Sequence, residues 1–314
     1  MNIHFVGSSG PRGWPEPDCR CASCSTLRVA GRRFEPTRVE VDDVPLAECS
    51  QRPVPGGYDV EAPGGARLLV AAGPGRRPEP VPGRRYDAVL LDLAEHPEHL
   101  GLLRRRGAVG PDTEVHAVHL DHRLRSPAEL ERRLRWWTRP RPAPHRTLLL
   151  GGARSGKSAE AELRLAAEPQ VTYVATAARR DDDPEWAARI KTHQERRPSW
   201  WHTAETTDVA RLLADSRGSI LIDGLGTWLA AVMDANEGWT DPAAVRPHLD
   251  GLVAAWRSTG ADVVAVTDEV GLAIVPATAS GRLFRDLLGT LNQRLAAESE
   301  EVALVVAGRA VDLP

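Results

Sequence analysis

Over residues 147–314, short apolar runs alternate with segments long enough to form helices. The runs predicted to be strands are Thr147–Leu150, Val171–Ala175, Ile220–Asp223, Asp262–Thr267 and Val302–Ala307. Such alternation predicts an α/β fold in which helices cover a mainly parallel sheet, with ligands at the carboxyl ends of the strands. Asp183-Pro184 and Asp241-Pro242 each predict a helix start, with an acidic cap and proline at the first helical position.

The first half of the chain predicts a smaller α+β domain. The expected strands are Asn2–Val6, Ala66–Ala72 and Asp87–Leu93, and the expected helix runs from Ser126 to Trp137, with Ser126 as its cap and Pro127 at its first position. Pro140, Pro142 and Pro144, interleaved with basic residues, exclude a helix or a central strand. Residues 139–146 are therefore predicted to be a linker between domains 1–138 and 147–314.

The first strand of the second half leads into a glycine-rich segment, Gly151-Gly152-Ala153-Arg154-Ser155-Gly156-Lys157-Ser158. It matches G-x-x-x-x-G-K-S, the pattern of a phosphate-binding loop between a strand and a helix. The chain has only two lysines, so a chance match is expected about once in a thousand shuffles of this composition. Glycines let backbone N–H groups approach phosphate oxygens, Lys157 would reach the outer phosphates, and Ser158 would hold magnesium. The alternative is a glycine-rich turn without a ligand.

A carboxylate follows the third apolar run, at Asp223. An acid at a strand end that faces a phosphate loop is what a nucleotide enzyme uses to hold Mg²⁺ or its water shell. The alternative is a solvated acid that simply ends the strand.

Composition narrows the classes of protein. A net charge of −3 and a pI of about 6.4 argue against a protein that coats nucleic acid or anionic lipid. The opening residues are too short and uncharged for a signal peptide, and no apolar run approaches membrane length. Four cysteines do not make a secreted disulfide framework, so a cytoplasmic location is expected.

Three of the cysteines form a C-x-C-x-x-C cluster at Cys19, Cys21 and Cys24. This spacing lets three thiolates share one Zn²⁺, which would need a fourth ligand from elsewhere; His4 and Cys49 are candidates. The alternative is a set of reduced, unliganded cysteines.

The segment from His116 to His122 contains H-x-D-H, the second half of the H-x-H-x-D-H metal signature. With the cysteine-containing start of the chain, it resembles the metallo-β-lactamase-like hydrolases. Ala117 stands where the first histidine of the full signature belongs, and little chain follows before residue 145. The resemblance therefore implies a shortened relative that has lost its dinuclear site.

A predicted helix, Pro184–Arg197, places Trp186, Ile190 and His193 on one face. By itself this pattern fits a packed histidine on an apolar stripe. Arg196 and Arg197 lie within one turn of His193 and could pair with phosphates, or could be solvated arginines at a helix end.

The motifs of the second half, in order, resemble those of the adenosylcobinamide kinase/adenosylcobinamide-phosphate guanylyltransferases over residues 147–314. Those motifs are Gly151–Ser158, Val171–Ala177, Arg189-Ile190-x-x-His193, Arg196-Arg197-Pro198, Trp201–Glu205, Ile220–Asp223, Thr267–Gly271, Ile274-Val275-Pro276, Arg282–Asp286, Gly289 and Asn292-Gln293. The family commonly has Asn where Asp268 stands, and the residues around Asp223-Gly224 also vary.

The resemblance implies a two-step enzyme of cobalamin assembly that uses GTP, ATP and Mg²⁺. It phosphorylates adenosylcobinamide, and then transfers GMP from GTP to adenosylcobinamide phosphate through a covalent intermediate on His193. It also implies that Thr176, Arg196 and Arg197 contact nucleotide, that Glu205 contacts guanine or ribose, and that the protein is a homo-oligomer, trimeric, with sites near subunit boundaries. Glu205 could instead be a surface acid. Because one loop must serve two phosphorus atoms, we predict that the helix carrying His193 moves toward the bound triphosphate.

Three other functions remain open from the sequence. A regulatory GTPase would share the loop and Asp223 but would not need His193. A small-molecule kinase would stop at the phosphate ester. A zinc-dependent hydrolase would use the first half of the chain and keep the second half as a nucleotide sensor.

Overall fold

The computed structural model describes residues 1–73, 77–138, 143–176 and 196–314. The chain divides into two compact units, one of Met1–Pro140 with Ala166–Pro169 and one of Arg141–Leu165 with Gln170–Pro314. Within the described ranges, no helix is long and apolar enough to cross a membrane.

The amino-terminal unit contains two sheets and three short helices in the part that the structure describes. An antiparallel sheet is formed by β1 (Ile3–Gly7), β2 (Arg38–Val41) and β3 (Val44–Pro45). The second sheet has the order β4 (Ser50–Val54), β5 (Gly57–Glu61), β6 (Arg67–Ala71), β7 (Ala88–Leu91) and β8 (Glu114–Ala117). Its first three strands pair antiparallel and its last three pair parallel.

The helices of this unit are α1 (Ala22–Val29), α2 (Glu98–Arg105) and α3 (Pro127–Trp137), with a 3₁₀ turn at Leu46–Glu48. Ser126 caps α3 as predicted, because its hydroxyl accepts from the backbone N–H of Glu129 at 3.2 Å. Three predicted strands are present as β1, β6 and β7, each within two residues of its predicted ends.

The carboxyl-terminal unit contains the predicted mainly parallel sheet. Among the described residues the strand order is β11-β10-β12-β13-β9-β14-β15. The bounds are β9 (His145–Gly151), β10 (Val171–Ala175), β11 (His202–Glu205), β12 (Ser219–Asp223), β13 (Asp262–Asp268), β14 (Glu301–Val306) and β15 (Arg309–Leu313). Neighbours pair parallel except for β14 and β15, which form an antiparallel hairpin. The α/β prediction is confirmed.

Two differences from the sequence-based prediction concern strands. β11 and β15 were not predicted, and β9 starts at His145, so His145 and Arg146 of the predicted linker lie in a central strand. The prolines before residue 145 indicated a linker, so the first two residues of the strand were not predicted. In the structure, β9 pairs with β13 from His145 onward. Arg146 is held by Glu300, whose carboxylate accepts from the Arg146 backbone N–H.

Helices cover both faces of this sheet. They are α4 (Lys157–Leu165), α5 (Val209–Asp215), α6 (Leu225–Ala235), α7 (Pro242–Ser258) and α8 (Ala279–Ala296). Leu148 and Leu150 pack in one apolar core with residues of α5 to α8, whereas Leu149 packs in a second core with residues of α4. This alternation follows from the two-residue period of a strand. The predicted cap of α7 is also present, because Asp241 accepts from the N–H of Ala243 at 2.9 Å.

A buried arginine stabilises the packing of α4 on the sheet. The side chain of Arg164 is fully buried, lies 3.3 Å from Glu160 and donates to Glu301 at 2.6 Å. We expect Arg164→Met to lower the free energy of unfolding by about 3 kcal/mol, because it leaves two shielded carboxylates without their cation. Urea unfolding would measure the change. The matched control is Arg211→Met, which breaks an exposed pair with Asp215 and should change stability by less than about 0.5 kcal/mol. Equal effects of the two substitutions would contradict this account.

Candidate functional site

The glycine-rich loop connects the end of β9 to the start of α4. A Cβ at Gly151 would lie 2.6 Å from the carbonyl oxygen of Val305, so no side chain fits there. Gly156 has φ +96°, and a Cβ on it would approach the Cα of Gly308 to 3.1 Å. The N–H of Gly308 donates to the carbonyl of Ser155 at 2.7 Å. The β14–β15 hairpin therefore packs against the loop and helps to fix its backbone conformation.

Two features of the loop are not explained by packing within the protein. A Cβ at Gly152 would meet nothing within 4 Å, so neighbouring atoms do not require glycine there. The hydroxyl of Ser155 is buried and has no hydrogen-bond partner among the described residues. Buried polar atoms are nearly always paired, and close approach of a ligand is a common reason for glycine. Both features fit a loop that binds phosphate oxygens.

Lys157 is the first residue of α4 and its ammonium group lies over the loop. Nζ is 2.8 Å from Oδ1 of Asp268 and donates to the carbonyl of Gly152 at 3.1 Å. Asp268 ends β13, directly beside Gly151 in the sheet register. The amide of the buried Asn292 donates to the carbonyl of Asp268 at 3.1 Å and fixes this strand end. Asp268 was noted in the sequence only as a departure, and its pairing with Lys157 was not predicted.

The carboxylate of Asp223 joins three elements of the site. The hydroxyl of Ser158 donates to Oδ1 at 2.8 Å, and the phenol of Tyr173 donates to Oδ2. β10 and β12 are parallel neighbours, which places Ala175 beside Asp223 at the same edge of the sheet. Burial, together with the nearby negative charge of Asp223, raises the pKa of Tyr173, so this phenol stays a hydrogen-bond donor. The two residues predicted to hold magnesium, Ser158 and Asp223, thus lie in contact.

Thr176 follows β10 and binds the start of α6. Its hydroxyl donates to the carbonyl of Gly224 at 2.7 Å and lies 2.8 Å from the hydroxyl of Thr227. Gly224 has φ +114°, and a Cβ there would meet the Thr227 hydroxyl at 2.4 Å. The Thr176 hydroxyl therefore connects two strand ends of the site through the protein itself.

Arg196 and Arg197 lie beside α4 and β10. The guanidinium of Arg196 pairs with the largely buried carboxylate of Glu162, with Nε 3.1 Å from Oε2. The Cζ of Arg197 lies 3.5 Å from the centre of the Tyr173 ring, a cation–π contact. Both arginines thus contact protein groups, although Arg196 is exposed, and Arg197 extends the chain of contacts Tyr173, Asp223 and Ser158. Sequence reasoning missed Glu162 and Tyr173, although Tyr173 stood within a quoted motif.

Glu205 ends β11 beside Ala175 and is exposed. It therefore lies at the carboxyl ends of the parallel strands, where the phosphate loop also lies. His193, with Trp186, Ile190 and the predicted helix start at Asp183-Pro184, lies outside the described residues. The predicted movement of that helix lies outside them as well.

In the amino-terminal unit, the ligand atoms of Cys19, Cys24 and His122 lie within 4.8 Å of one another. The two predicted fourth ligands are elsewhere: His4 is exposed and pairs with Glu40, and Cys49 packs in a different apolar core from the three clustered cysteines. The prediction of His4 or Cys49 was therefore wrong, because sequence distance did not reveal that the segment around residue 122 returns to the cysteines. Burial raises the pKa of the Cys24 thiol to about 12, whereas the N–H of Cys24 lowers the pKa of Cys21.

Two other residues of the segment from His116 to His122 contact protein groups. Asp121 accepts from the side chain of Arg123 at 2.7 Å, and His116 lies 3.2 Å from Glu114 and against Phe5. A second group of potential ligands, His96, Glu98 and His99, was not predicted from the sequence. Burial lowers the pKa of His99 to about 4, so this imidazole is neutral at physiological pH.

Comparison with known proteins identifies the second half of the chain. The family model described as "Cobinamide kinase / cobinamide phosphate guanyltransferase" matches residues 147–313. Proteins named bifunctional adenosylcobalamin biosynthesis protein CobU are 42% identical over 181 residues in Salmonella typhimurium and 37% identical over 179 residues in Escherichia coli. Each alignment covers 53% of this chain and 98% of the relative. The corresponding Pseudomonas aeruginosa protein, CobP, is 36% identical over 169 residues, which is 52% of this chain and 94% of the relative. With the phosphate loop, Lys157, Ser158 and Asp223 assembled at one sheet edge, this chain belongs to the cobinamide kinase/cobinamide phosphate guanyltransferase family.

Proposed function

We propose that residues 147–314 phosphorylate adenosylcobinamide and then transfer GMP from GTP to adenosylcobinamide phosphate, in cobalamin biosynthesis. The observation that carries the proposal is the contact between Ser158 and Asp223 beside a glycine-rich loop, in a chain of this family. ATP or GTP would donate the phosphoryl group in the first reaction, and GTP would be the substrate of the second. The zinc ion predicted from the cysteine spacing would belong to the amino-terminal unit and take no part in either reaction.

In the kinase reaction the chain would act mainly by positioning and by charge. The loop N–H groups and Lys157 would bind the phosphates, so that the γ-phosphorus faces the hydroxyl of the corrinoid side chain. Ser158 and Asp223 would hold Mg²⁺, which neutralises charge on the phosphate oxygens. Asp268 now pairs with Lys157 at 2.8 Å, so phosphate oxygens would take over part of that interaction when nucleotide binds.

In the guanylyl transfer, a nitrogen of the neutral His193 imidazole would attack the α-phosphorus of GTP. A nitrogen–phosphorus bond forms as the bond to the pyrophosphate oxygen breaks, and a phosphate oxygen of adenosylcobinamide phosphate then displaces the histidine. The contacts of Arg196 support this assignment, because Arg196 is fixed on Glu162 of α4. Three peptide units separate it from His193 and can span at most about 11 Å. Arg196 and Arg197 would stabilise the leaving pyrophosphate.

We assign selection of guanine to Glu205. A carboxylate can accept two N–H bonds from the Watson–Crick edge of guanine, which adenine cannot donate. The position of Glu205 supports this role, because β11 ends next to β10 at the edge that carries the phosphate loop.

The proposal includes the homo-oligomer that the family resemblance implies. An apolar segment between β13 and α8 supports it. The side chains of Leu272, Ile274 and Val275 there are 80%, 94% and 58% exposed. Apolar side chains grouped in this way are typical of surfaces that contact another chain, and a second copy of this chain would cover them.

The test of the function uses GTP labelled at the α-phosphate and the full-length chain. We expect acid-labile label on the protein, and GMP-linked corrinoid after adenosylcobinamide is added. A regulatory GTPase would remain unlabelled, and a small-molecule kinase would stop at the phosphate ester. Unlabelled protein that makes only the phosphate ester would refute the transfer step, and the absence of both products would refute the whole proposal.

Tyr173 would act as a positioning residue for Asp223. We expect Tyr173→Phe to raise the Mg²⁺ concentration that gives half-maximal kinase activity by about 3–10-fold, because it removes one hydrogen bond of about 1 kcal/mol from the carboxylate. Titration of the kinase rate with Mg²⁺ measures this shift. The matched control is Tyr86→Phe, which removes the hydroxyl of a buried tyrosine in the amino-terminal unit. A purely structural role for Tyr173 would lower stability without changing the Mg²⁺ dependence.

A further inference from the structure

A buried polar chain holds two distant segments of the amino-terminal unit together. The indole N–H of Trp14 donates to the hydroxyl of Ser23 at 3.0 Å, and that hydroxyl donates to the carbonyl of Leu124 at 2.6 Å. Trp14 and Leu124 are fully buried, and Ser23 is nearly so. These bonds fix the first turn of α1, with its cysteines, against the segment that carries His122.

Three potential metal ligands meet where these segments touch, and a fourth, Cys21, lies two residues after Cys19 and three before Cys24. The ligand atoms of Cys19, Cys24 and His122 lie within 4.8 Å of one another, and the Sγ of Cys21 accepts from the backbone N–H of Cys24 at 3.4 Å. In a tetrahedral zinc site with ordinary Zn–S and Zn–N bonds, ligand atoms are separated by about 3.5–3.8 Å. The three grouped ligand atoms are therefore close to the spacing of a zinc site, and rotation of the side chains would bring the thiol of Cys21 to the ion.

The imidazole of His122 lies beside a carboxylate. Its Nδ1 lies 3.5 Å from a carboxylate oxygen of Glu16, and Glu16 is held by Arg12 at 3.2 Å. The Nδ1 nitrogen is buried and makes no hydrogen bond among the described residues, which is unusual for a polar atom and fits a ring that a bound ion would hold in place. The backbone just before the cysteines is also fixed, because Arg28 of α1 donates to the carbonyls of Glu16 and Pro17.

We propose that Cys19, Cys21, Cys24 and His122 together bind one Zn²⁺ ion. Three thiolates and an imidazole form a ligand set that favours zinc over the oxygen-preferring cations. Four protein ligands leave no open position for water or substrate, so the ion is structural and connects α1 to the segment after β8. The site takes His122 from the H-x-D-H segment, whereas Asp121 of the same segment binds Arg123.

The experiment measures metal in the full-length chain, purified without chelator, by elemental analysis. We expect about one zinc per chain, and after replacement by Co²⁺ the absorption bands of a tetrahedral, thiolate-ligated ion. Cys24→Ser and His122→Ala should lose the ion. The matched controls are Cys49→Ser and His4→Ala, which remove the same residue types from the unit at positions outside the cluster and should retain it.

Two milder variants keep the test decisive if the others do not fold. His122→Cys supplies another zinc ligand and should retain the ion with an altered Co²⁺ spectrum. Glu16→Gln should weaken zinc affinity by about 10–100-fold, measured by competition with a chromogenic chelator. Wild-type protein that carries no zinc and gives no tetrahedral cobalt spectrum would overturn the proposal, as would loss of the ion from the His4→Ala or Cys49→Ser variant.

Discussion

His193→Ala is expected to abolish covalent labelling by α-labelled GTP and to slow guanylyl transfer by at least about 10³-fold, the scale on which loss of a nucleophile reduces turnover. Phosphorylation of adenosylcobinamide should change by no more than a few-fold, because its acceptor is the corrinoid hydroxyl and no histidine adduct forms. The measurements are acid-labile label on the denatured chain and separation of the two corrinoid products. This split between the two reactions is the strongest signature of the proposed mechanism.

The matched control for this variant is His202→Ala. His202 is an exposed histidine at the start of β11, nine positions along the chain, and its ring has no proposed role in either reaction. The His202→Ala protein should be labelled like the wild type. If His193→Ala protein still takes up label, the nucleophile is a different residue, and the assignment of His193 is wrong.

Lys157→Met should slow both reactions by about 10²–10³-fold, the effect of removing one positioned positive donor from a transferring phosphoryl group. Methionine keeps most of the length of the side chain without its charge, so the change tests the ammonium group. Because a single loop would bind the triphosphate for both reactions, we expect the two rates to fall together. Initial rates at saturating nucleotide, with each corrinoid substrate supplied separately, provide the measurement.

The control for Lys157→Met is again Arg211→Met, which removes one positive charge from the exposed surface of α5. Lys157→Arg adds a second comparison: it preserves the charge, but the planar guanidinium has a different shape and cannot replace a compact ammonium in a tight loop. We expect it to remain strongly impaired. Retention of more than a tenth of either activity by Lys157→Met would contradict the proposed role of the loop lysine.

The parts of the structure that local patterns determine were predictable. The loop Gly151–Ser158 requires a strand before it and a helix after it, and both are present as β9 and α4. The caps at Ser126 and Asp241 were also predictable, because a short polar side chain followed by proline satisfies orphan N–H groups with few neighbours involved.

The parts that depend on distant contacts were not predictable. β11 is four residues long and has no alternation of buried and exposed positions, and it is a strand because β10 pairs with it. The ion pair of Lys157 with Asp268 joins the start of α4 to the end of β13, and these positions are neighbours only because β13 pairs with β9. The approach of His122 to the cysteines has the same origin, since about 100 residues separate them and no local pattern encodes their contact.

The hairpin behind the phosphate loop also affects when the loop can form during synthesis. Gly308 and Ser155 are joined by a hydrogen bond but lie about 150 residues apart in sequence. A ribosome therefore completes the segment Gly151–Ser158 long before it produces the residues that shape that segment, and pairing of such distant segments is slow. A nascent chain that ends before β14 would carry the full loop sequence without its support. Nucleotide binding would thus appear late in translation, after the sheet has received its last two strands.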